Sequence, residues 1–192
     1  MIAKSRLDAL TDGVFAFAMT LLVLDLRLPD SFNPATAADL WAGINNLGGQ
    51  FLAYVISFGV LGLRWMTQVS RHQAVEQVSP GYALWLLVYL FFITCIPFST
   101  MVVGRYDSLA PATWLYAANM TLSALATLRM SLLAEEETDQ KTERRDRIGG
   151  SIVIIISALL SVAISFVDPS WAMLAYLLNV LPGFRRRRGV AG

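Results

Sequence analysis

The chain alternates between long apolar blocks and short polar segments. Six blocks approach or reach the roughly 20 residues that a helix needs to cross a bilayer core about 30 Å thick. They run at about 6–28, 45–68, 81–103, 110–133, 148–167 and 169–184. This pattern predicts an all-α integral membrane protein, with six transmembrane helices per subunit in one domain over 1–192.

Prolines refine the third and sixth segments. Pro97 lies inside the third block, where its ring removes a backbone hydrogen bond, so we expect a kink there. The sixth block is short and follows Asp168 and Pro169, and proline suits the first position of a helix. We therefore expect the fifth and sixth segments to form a tight helical hairpin.

Composition agrees with a membrane protein and gives little support for catalysis. Hydrophobic residues make up 56% of the chain and charged residues 15%, against the roughly 25% charged that is usual in soluble domains. The chain has one histidine and one cysteine, Cys95, no clustered metal ligands and no glycine-rich phosphate loop. The sequence predicts no enzyme activity, no cofactor, no metal site and no nucleic-acid partner.

The distribution of basic residues predicts the orientation. With six spans, only Arg27 and Arg105 of the 15 Lys and Arg residues fall on the side opposite the N-terminus. The others are Lys4, Arg6, Arg64, Arg71, Arg129, Lys141, Arg144, Arg145, Arg147 and Arg185 to Arg188. Because cytoplasmic loops are enriched in Lys and Arg, both termini are predicted to lie in the cytoplasm of a cell-membrane protein.

The first segment divides into two faces at 100° per residue. One face carries Leu10, Gly13, Phe17, Thr20, Leu21 and Leu24, and roughly opposite lie Asp8, Asp12, Phe15 and Met19. Thr20 can bond to its own helix carbonyl, as most membrane threonines do. Alternatively, symmetric copies of the helix would present a ring of Thr20 hydroxyls beneath a ring of Leu24 side chains, where dehydration could gate ions.

Asp12 is an ionisable group within a span, and such groups normally have a partner. It lies at about the depth of Arg64 and near Arg6 along the chain. One hypothesis is that Asp12 pairs with Arg6, Arg64 or both and ties the first helix to its neighbours. The alternative is a carboxylate that reaches the interface alone.

Asp25 and Arg27 follow the first segment at its outer end. A ring of Asp25 side chains could concentrate cations at a pore mouth. An ion pair between Asp25 and Arg27, or one between subunits, is the alternative, and we favour it.

Several stretches resemble one family of channels. The pattern Arg6-x-x-x-Leu10-Thr11-Asp12 resembles the Arg-x-x-x-Phe-Ser-Asp signature of the prokaryotic transmembrane protein 175 family of potassium channels. The stretch IPFSTMVVGRY (96–106) is similar to the end of that family's third helix, and LYAANM (115–120) to part of its fourth. The resemblance covers all six segments in order.

The resemblance implies a homotetramer whose first helices line a central potassium-permeable pore. It places the family's constriction residue at Phe17, its threonine ring at Thr20 and its outer apolar pore residue at Leu24, with Leu21 on the same face. Two departures are notable. The family usually has Ile or Leu where Phe17 stands. Where the family commonly has paired histidines three residues after its Trp, this chain has Gln68 and Val69 after Trp65, with a lone His72 further on.

The leading interpretation is therefore a passive potassium-permeable channel that contacts potassium ions, membrane lipids and other copies of itself. A proton leak or proton-coupled transporter is a second class, for which Asp12 is the best titratable candidate. A non-conducting membrane scaffold is a third, and ion flux through purified protein separates it from the other two.

Overall fold

A computed structural model of the protein describes residues 2–69, 77–135 and 141–179. Seven α-helices and one 3₁₀-helix account for most of this part of the chain. The α-helices are α1 (Lys4–Leu24), α2 (Ala37–Asn45), α3 (Gly48–Val69), α4 (Pro80–Thr94), α5 (Ile96–Arg105), α6 (Ala110–Glu135) and α7 (Lys141–Ser165). The 3₁₀-helix spans Pro169–Asn179.

Four helical segments of the described chain are long and apolar enough to cross a membrane. They are Lys4–Leu24, Gly48–Val69, Pro80–Arg105 and Ile148–Ser165. The helix α6 has 26 residues and so has the length, but its run of Thr, Ser and Asn residues makes it less apolar. The protein is therefore a helical membrane protein, and the number of six spans stays a prediction.

The first predicted segment ends earlier than expected. The helix α1 stops at Leu24, and the N–H of Asp25 bonds to the Val23 carbonyl. Pro29 disfavours a helical conformation in the residue before it, so the chain leaves the helix within one turn. The prediction that this helix continues to residue 28 is wrong by four residues.

The third predicted segment is two helices joined at Cys95. Since Pro97 has no N–H to give to the turn before it, the helix breaks one turn upstream, between Thr94 and Ile96. The predicted kink is confirmed in this form.

The last predicted segment begins at Pro169 as expected, but it winds as a 3₁₀-helix rather than an α-helix. The side chain of Asp168 accepts a hydrogen bond from the Ser170 N–H at 3.0 Å, which fixes the turn into it. The 3₁₀-helix packs against α7, so the predicted hairpin of the fifth and sixth segments is confirmed. Residues 180–184 of the prediction lie outside the described part of the chain.

A short antiparallel strand pair links the N-terminus to the start of α4. Strand β1 (Ile2–Ala3) pairs with β2 (Gln77–Val78), with Ile2 opposite Val78. This pair brings the beginnings of α1 and α4 to the same end of the molecule.

The short helix α2 lies in the connection between α1 and α3 and is capped on its own. Thr36 Oγ1 accepts from the Asp39 N–H at 3.1 Å, and Asp39 Oδ2 accepts from the Thr36 N–H at 2.8 Å. Hydrogen bonds from the side chain and backbone of Thr36 hold the pKa of the Asp39 carboxyl below its usual range.

The core forms where α3 to α7 and the 3₁₀-helix meet, and α1 packs on one side of it against α3, α4 and α5. The largest fully buried side chains include Tyr116, Tyr176, Ile56, Leu61 and Met120. Polar groups within this core bond to one another. Thr100 Oγ1 donates to Ser57 Oγ at 2.9 Å, and the Ser57 and Tyr116 hydroxyls lie 3.0 Å apart.

Gly104 allows α5 to approach α3 closely. A Cβ at this position would lie 3.1 Å from the Gln50 Cα and 3.3 Å from the Ala53 Cβ.

We expect Gly104→Leu to lower the free energy of unfolding by about 1–3 kcal/mol, as overpacking does. Thermal loss of monodisperse protein in detergent measures this. Gly150→Leu is the control, because a Cβ there meets nothing within 4 Å. Equal thermal stability of the two variants would contradict close packing at Gly104.

Candidate pore face and the contacts behind it

The helix α1 buries one face and leaves the other open. Its buried residues are Leu7, Thr11, Phe15, Ala18 and Leu22. The opposite face is apolar but exposed: Phe17 is 73% exposed and Leu24 67% exposed, with Leu10 and Leu21 exposed beside them. The predicted open face is thus exposed, but of the four residues predicted opposite to it only Phe15 is buried, and Asp12 is exposed. A pore-lining role stays a prediction.

Thr20 lies on this open face, between Phe17 and Leu24. Its hydroxyl donates to the Phe17 carbonyl at 2.9 Å, three residues earlier in the same helix. The hydroxyl hydrogen is therefore used within the helix, and the oxygen lone pairs remain available on the exposed side.

Asp12 is held by an indole and not by an arginine. Trp65 Nε1 donates to Asp12 Oδ1 at 2.9 Å, which connects α1 to α3. Within the described ranges, neither Arg6 nor Arg64 forms an ion pair with Asp12. The expected pairing is therefore wrong in its partner, although a contact from Asp12 to the second long helix exists.

Arg64 is buried and turns away from Asp12. Its guanidinium donates to Ser123 Oγ at 2.7 Å and to Thr127 Oγ1 at 3.4 Å, both on α6. Its Cζ atom lies 5.1 Å from the centre of the Tyr89 ring on α4. The physical reason for the difference is packing: consecutive residues on a helix point about 100° apart, so Arg64 enters the subunit while Trp65 reaches α1.

The remaining residues of the Arg-x-x-x-Leu-Thr-Asp pattern separate. Thr11 is buried and donates to the Leu7 carbonyl at 2.8 Å. Arg6 and Leu10 are exposed. The structure thus brings only Asp12 of this pattern into contact with another helix through a side-chain hydrogen bond.

At the outer end of α1, Arg27 pairs with Asp30 at 3.8 Å, and both side chains are mostly exposed. The favoured pairing of Arg27 with Asp25 is therefore wrong within one subunit, since Arg27 reaches Asp30 three residues further along the non-helical connection. Asp25 instead lines a narrow crevice together with Gln50, Tyr54 and Thr100. The exposed Arg27–Asp30 pair contributes little to stability.

Sequence reasoning missed the residues that hold Arg64. Tyr89, Ser123 and Thr127 carry no channel motif. A signal was present, because Ser123, Thr127 and Ser131 recur at intervals of four on an otherwise apolar segment. Three hydroxyls on one helix face indicate a polar partner inside the protein. His72 and the basic cluster at 185–188 lie outside the described residues.

Helices of this length and apolarity, one with a mostly apolar open face, define an integral membrane protein. Three comparisons narrow this class. Residues 6–97 match the family model described as the endosomal/lysosomal potassium channel TMEM175. The chain is also 29% identical to a potassium channel of a Chryseobacterium species, over 94% of this chain and 92% of that protein. It is 27% identical to a potassium channel of Streptomyces collinus, over 97% and 94%.

A solved structure agrees with these relatives in fold. A homologue of the lysosomal potassium-selective channel TMEM175, from Chamaesiphon minutus, aligns with a TM-score of 0.78 over 94% of this chain and 96% of that one, at 22% identity. A rat endosomal/lysosomal proton channel, TMEM175, is 33% identical over 50% of this chain but only 20% of its own length. The chain is therefore similar to the TMEM175 family over residues 6–97 and to two bacterial potassium channels over almost its whole length.

We expect Trp65→Phe to remove the only side-chain hydrogen bond described between Asp12 and another helix. A hydrogen bond to a charged group contributes about 1.5–3 kcal/mol, and the exposure of Asp12 places the loss at the lower end. Asp12→Asn keeps an acceptor oxygen and should cost less. Thermal loss of the assembled protein in detergent measures both.

Trp41→Phe is the matched control, because Trp41 is 65% exposed. If Trp65→Phe and Trp41→Phe have the same thermal stability, the Asp12 contact does not hold α1. If Asp12→Asn leaves assembly intact and changes only ion preference, a structural role for this carboxylate is wrong.

Proposed function

We propose that this protein is a potassium-permeable channel of the cell membrane, which conducts passively through a central pore formed by the α1 helices of a homotetramer. The observation that carries the proposal is the open apolar face of α1, in a helix whose other face is well packed. Copies of the same helix around a symmetry axis would cover this face and bring the Thr20 hydroxyls together between apolar side chains. The bacterial relatives named as potassium channels match this chain along almost their whole length.

We propose six crossings with both termini in the cytoplasm. The strand pair β1–β2 supports this topology, since α1 and α4 begin at the same end and are separated by one outward and one return crossing. The excess of Lys and Arg on that side gives it the cytoplasmic assignment. Surrounding lipid covers the outward apolar faces of the other helices.

Selectivity would arise along about 10 Å of α1, the rise of seven residues from Phe17 to Leu24. Apolar rings at Phe17, Leu21 and Leu24 oppose the entry of fully hydrated ions. The Thr20 oxygens lie between them. Because each Thr20 hydrogen points back to the Phe17 carbonyl, the lone pairs can replace part of the water shell of a cation.

The protonation alternative receives less support from the contacts. Asp12 is the best titratable candidate on α1, and its carboxylate accepts from Trp65 on the side of α3. A proton path through the pore would want a titratable group in line with Phe17 and Thr20. The vertebrate relatives named as proton channels keep this alternative as an outcome of the experiment below.

Reversal potential in planar bilayers of purified protein, under a potassium/sodium bi-ionic gradient, tests the proposal. We expect a potassium-directed potential in the native protein. Thr20→Ala should reduce the permeability ratio by up to about tenfold, the effect of losing one oxygen contact of about 1.4 kcal/mol per ion.

The control for Thr20→Ala is Thr94→Ala. Thr94 is also exposed and also donates to the carbonyl three residues earlier, Phe91, at 2.7 Å, but it lies on α4. Loss of selectivity in both variants would remove the special role of α1. No current from the native protein would favour the scaffold, and a potential that follows only the pH gradient would favour a proton pathway.

Phe17→Ala should raise the unitary potassium conductance if Phe17 forms the constriction. We expect an increase of about threefold, equivalent to lowering the barrier by about 0.65 kcal/mol, because the side chain that excludes water is removed. Phe98→Ala on α5, also exposed, is the control. Unchanged conductance in Phe17→Ala with the fold intact would place the constriction elsewhere.

A further inference from the structure

Arg64 is a buried cation whose described partners carry no negative charge. The residue is 9% exposed, and its guanidinium contacts the Ser123 and Thr127 hydroxyls and the face of Tyr89. No carboxylate forms an ion pair with it in the parts of the chain that the structure describes. Because an ionised group inside a membrane protein is costly, its presence calls for a role.

The two hydroxyls that hold Arg64 are themselves fixed to α6. Ser123 Oγ donates to the Met120 carbonyl at 2.7 Å, and Thr127 Oγ1 donates to the Ser123 carbonyl at 3.0 Å. Their hydrogens are used by the helix, so their lone pairs face the guanidinium. The side chain of Arg64 is thereby anchored to the body of the subunit.

Two contacts lead from these surroundings to α1. The neighbouring residue, Trp65, donates to Asp12 at 2.9 Å. Tyr89, which stacks under the guanidinium, packs its ring against Phe15 with ring centres 6.2 Å apart. Asp12 and Phe15 are three residues apart on α1, so these two contacts hold α1 about one turn apart along the helix.

We propose that Arg64 is a positioning residue for ion selection: it fixes the rotation of α1 relative to α6 and so sets where Phe17 and Thr20 point. This inference rests on the proposed channel function. Phe15 is buried and Phe17 open, and two residues along a helix lie about 200° apart. Any rotation that releases Phe15 from Tyr89 therefore moves Phe17 by the same angle.

This role depends on the shape of arginine as well as on its charge. A planar guanidinium can donate to two hydroxyls and stack on a ring at once, whereas the ammonium of lysine is a single point charge. We therefore expect Arg64→Lys to restore part of the native behaviour, and Arg64→Gln to restore less.

The first measurement is the potassium/sodium permeability ratio of purified protein in planar bilayers. Arg64→Gln should lower the ratio by about threefold to tenfold, within the range that residues remote from a site can produce. Arg129→Gln is the matched control, because Arg129 is an exposed arginine on α6. In an Asp12→Asn background, Arg64→Gln should have a smaller effect, since one of the two routes to α1 is already weakened.

The second measurement needs no current. Cys95 is the only cysteine of the chain, so Cys95→Ala gives a background in which Leu21→Cys reports on the open face of α1. The rate at which a water-soluble thiol reagent modifies position 21 should change by about threefold or more in Arg64→Gln. It should be unchanged in Arg129→Gln.

The outcomes separate the two proposals. No current from the native protein overturns the channel function, and the modification rates then decide the positioning role alone. Unchanged rate and permeability ratio in a folded Arg64→Gln protein overturn the positioning role while the channel function stands. If Arg64→Gln does not fold, Ser123→Ala removes one anchor only and should shift both quantities in the same direction; no shift there overturns the inference.

Discussion

The structure depends on one constraint: α1 packs only one of its faces against its own subunit, so its other, mostly apolar face is left for a different neighbour. The helix α1 buries Leu7, Phe15 and Leu22 in the subunit interior, and its Phe17 and Leu24 side chains are exposed. Ordinary lipid would cover such a face. Its aromatic, hydroxyl and aliphatic side chains are the observation behind the proposed pore.

Behind this face, polar groups are buried inside an apolar core and need hydrogen-bond partners there. Side-chain hydroxyls supply most of these partners. Ser57, Thr100 and Tyr116 bond to one another, and Ser123 and Thr127 receive the guanidinium of Arg64. The network joins α3, α5 and α6 without an ion pair among the described residues, and Ser123 and Thr127 also bond to their own helix. Asp12 and Phe15 attach α1 to this body.

Departures from regular helix occur where the chain must change direction within the membrane protein. Pro97 breaks the third segment at Cys95, and Gly104 then lets α5 lie close against α3. The 3₁₀-helix after Asp168 and Pro169 is tighter than an α-helix and packs against α7. Each of these features serves packing, since it brings short segments into contact with α3 or α7.

The sequence by itself determined the helical membrane class, the kink at Pro97, the hairpin at Pro169 and the exposed face of α1. These follow from periodicity, proline chemistry and hydropathy, which are local properties of a chain. Only the tertiary structure decided the partners of Asp12, Arg64 and Arg27. Asp12 contacts Trp65, Arg64 contacts Ser123, and Arg27 contacts Asp30. These contacts depend on how the segments that carry the two partners come to face each other. Opposite charges near one another along a sequence do not fix that geometry, because the direction of each side chain is set by the rotation of its helix in the packed subunit.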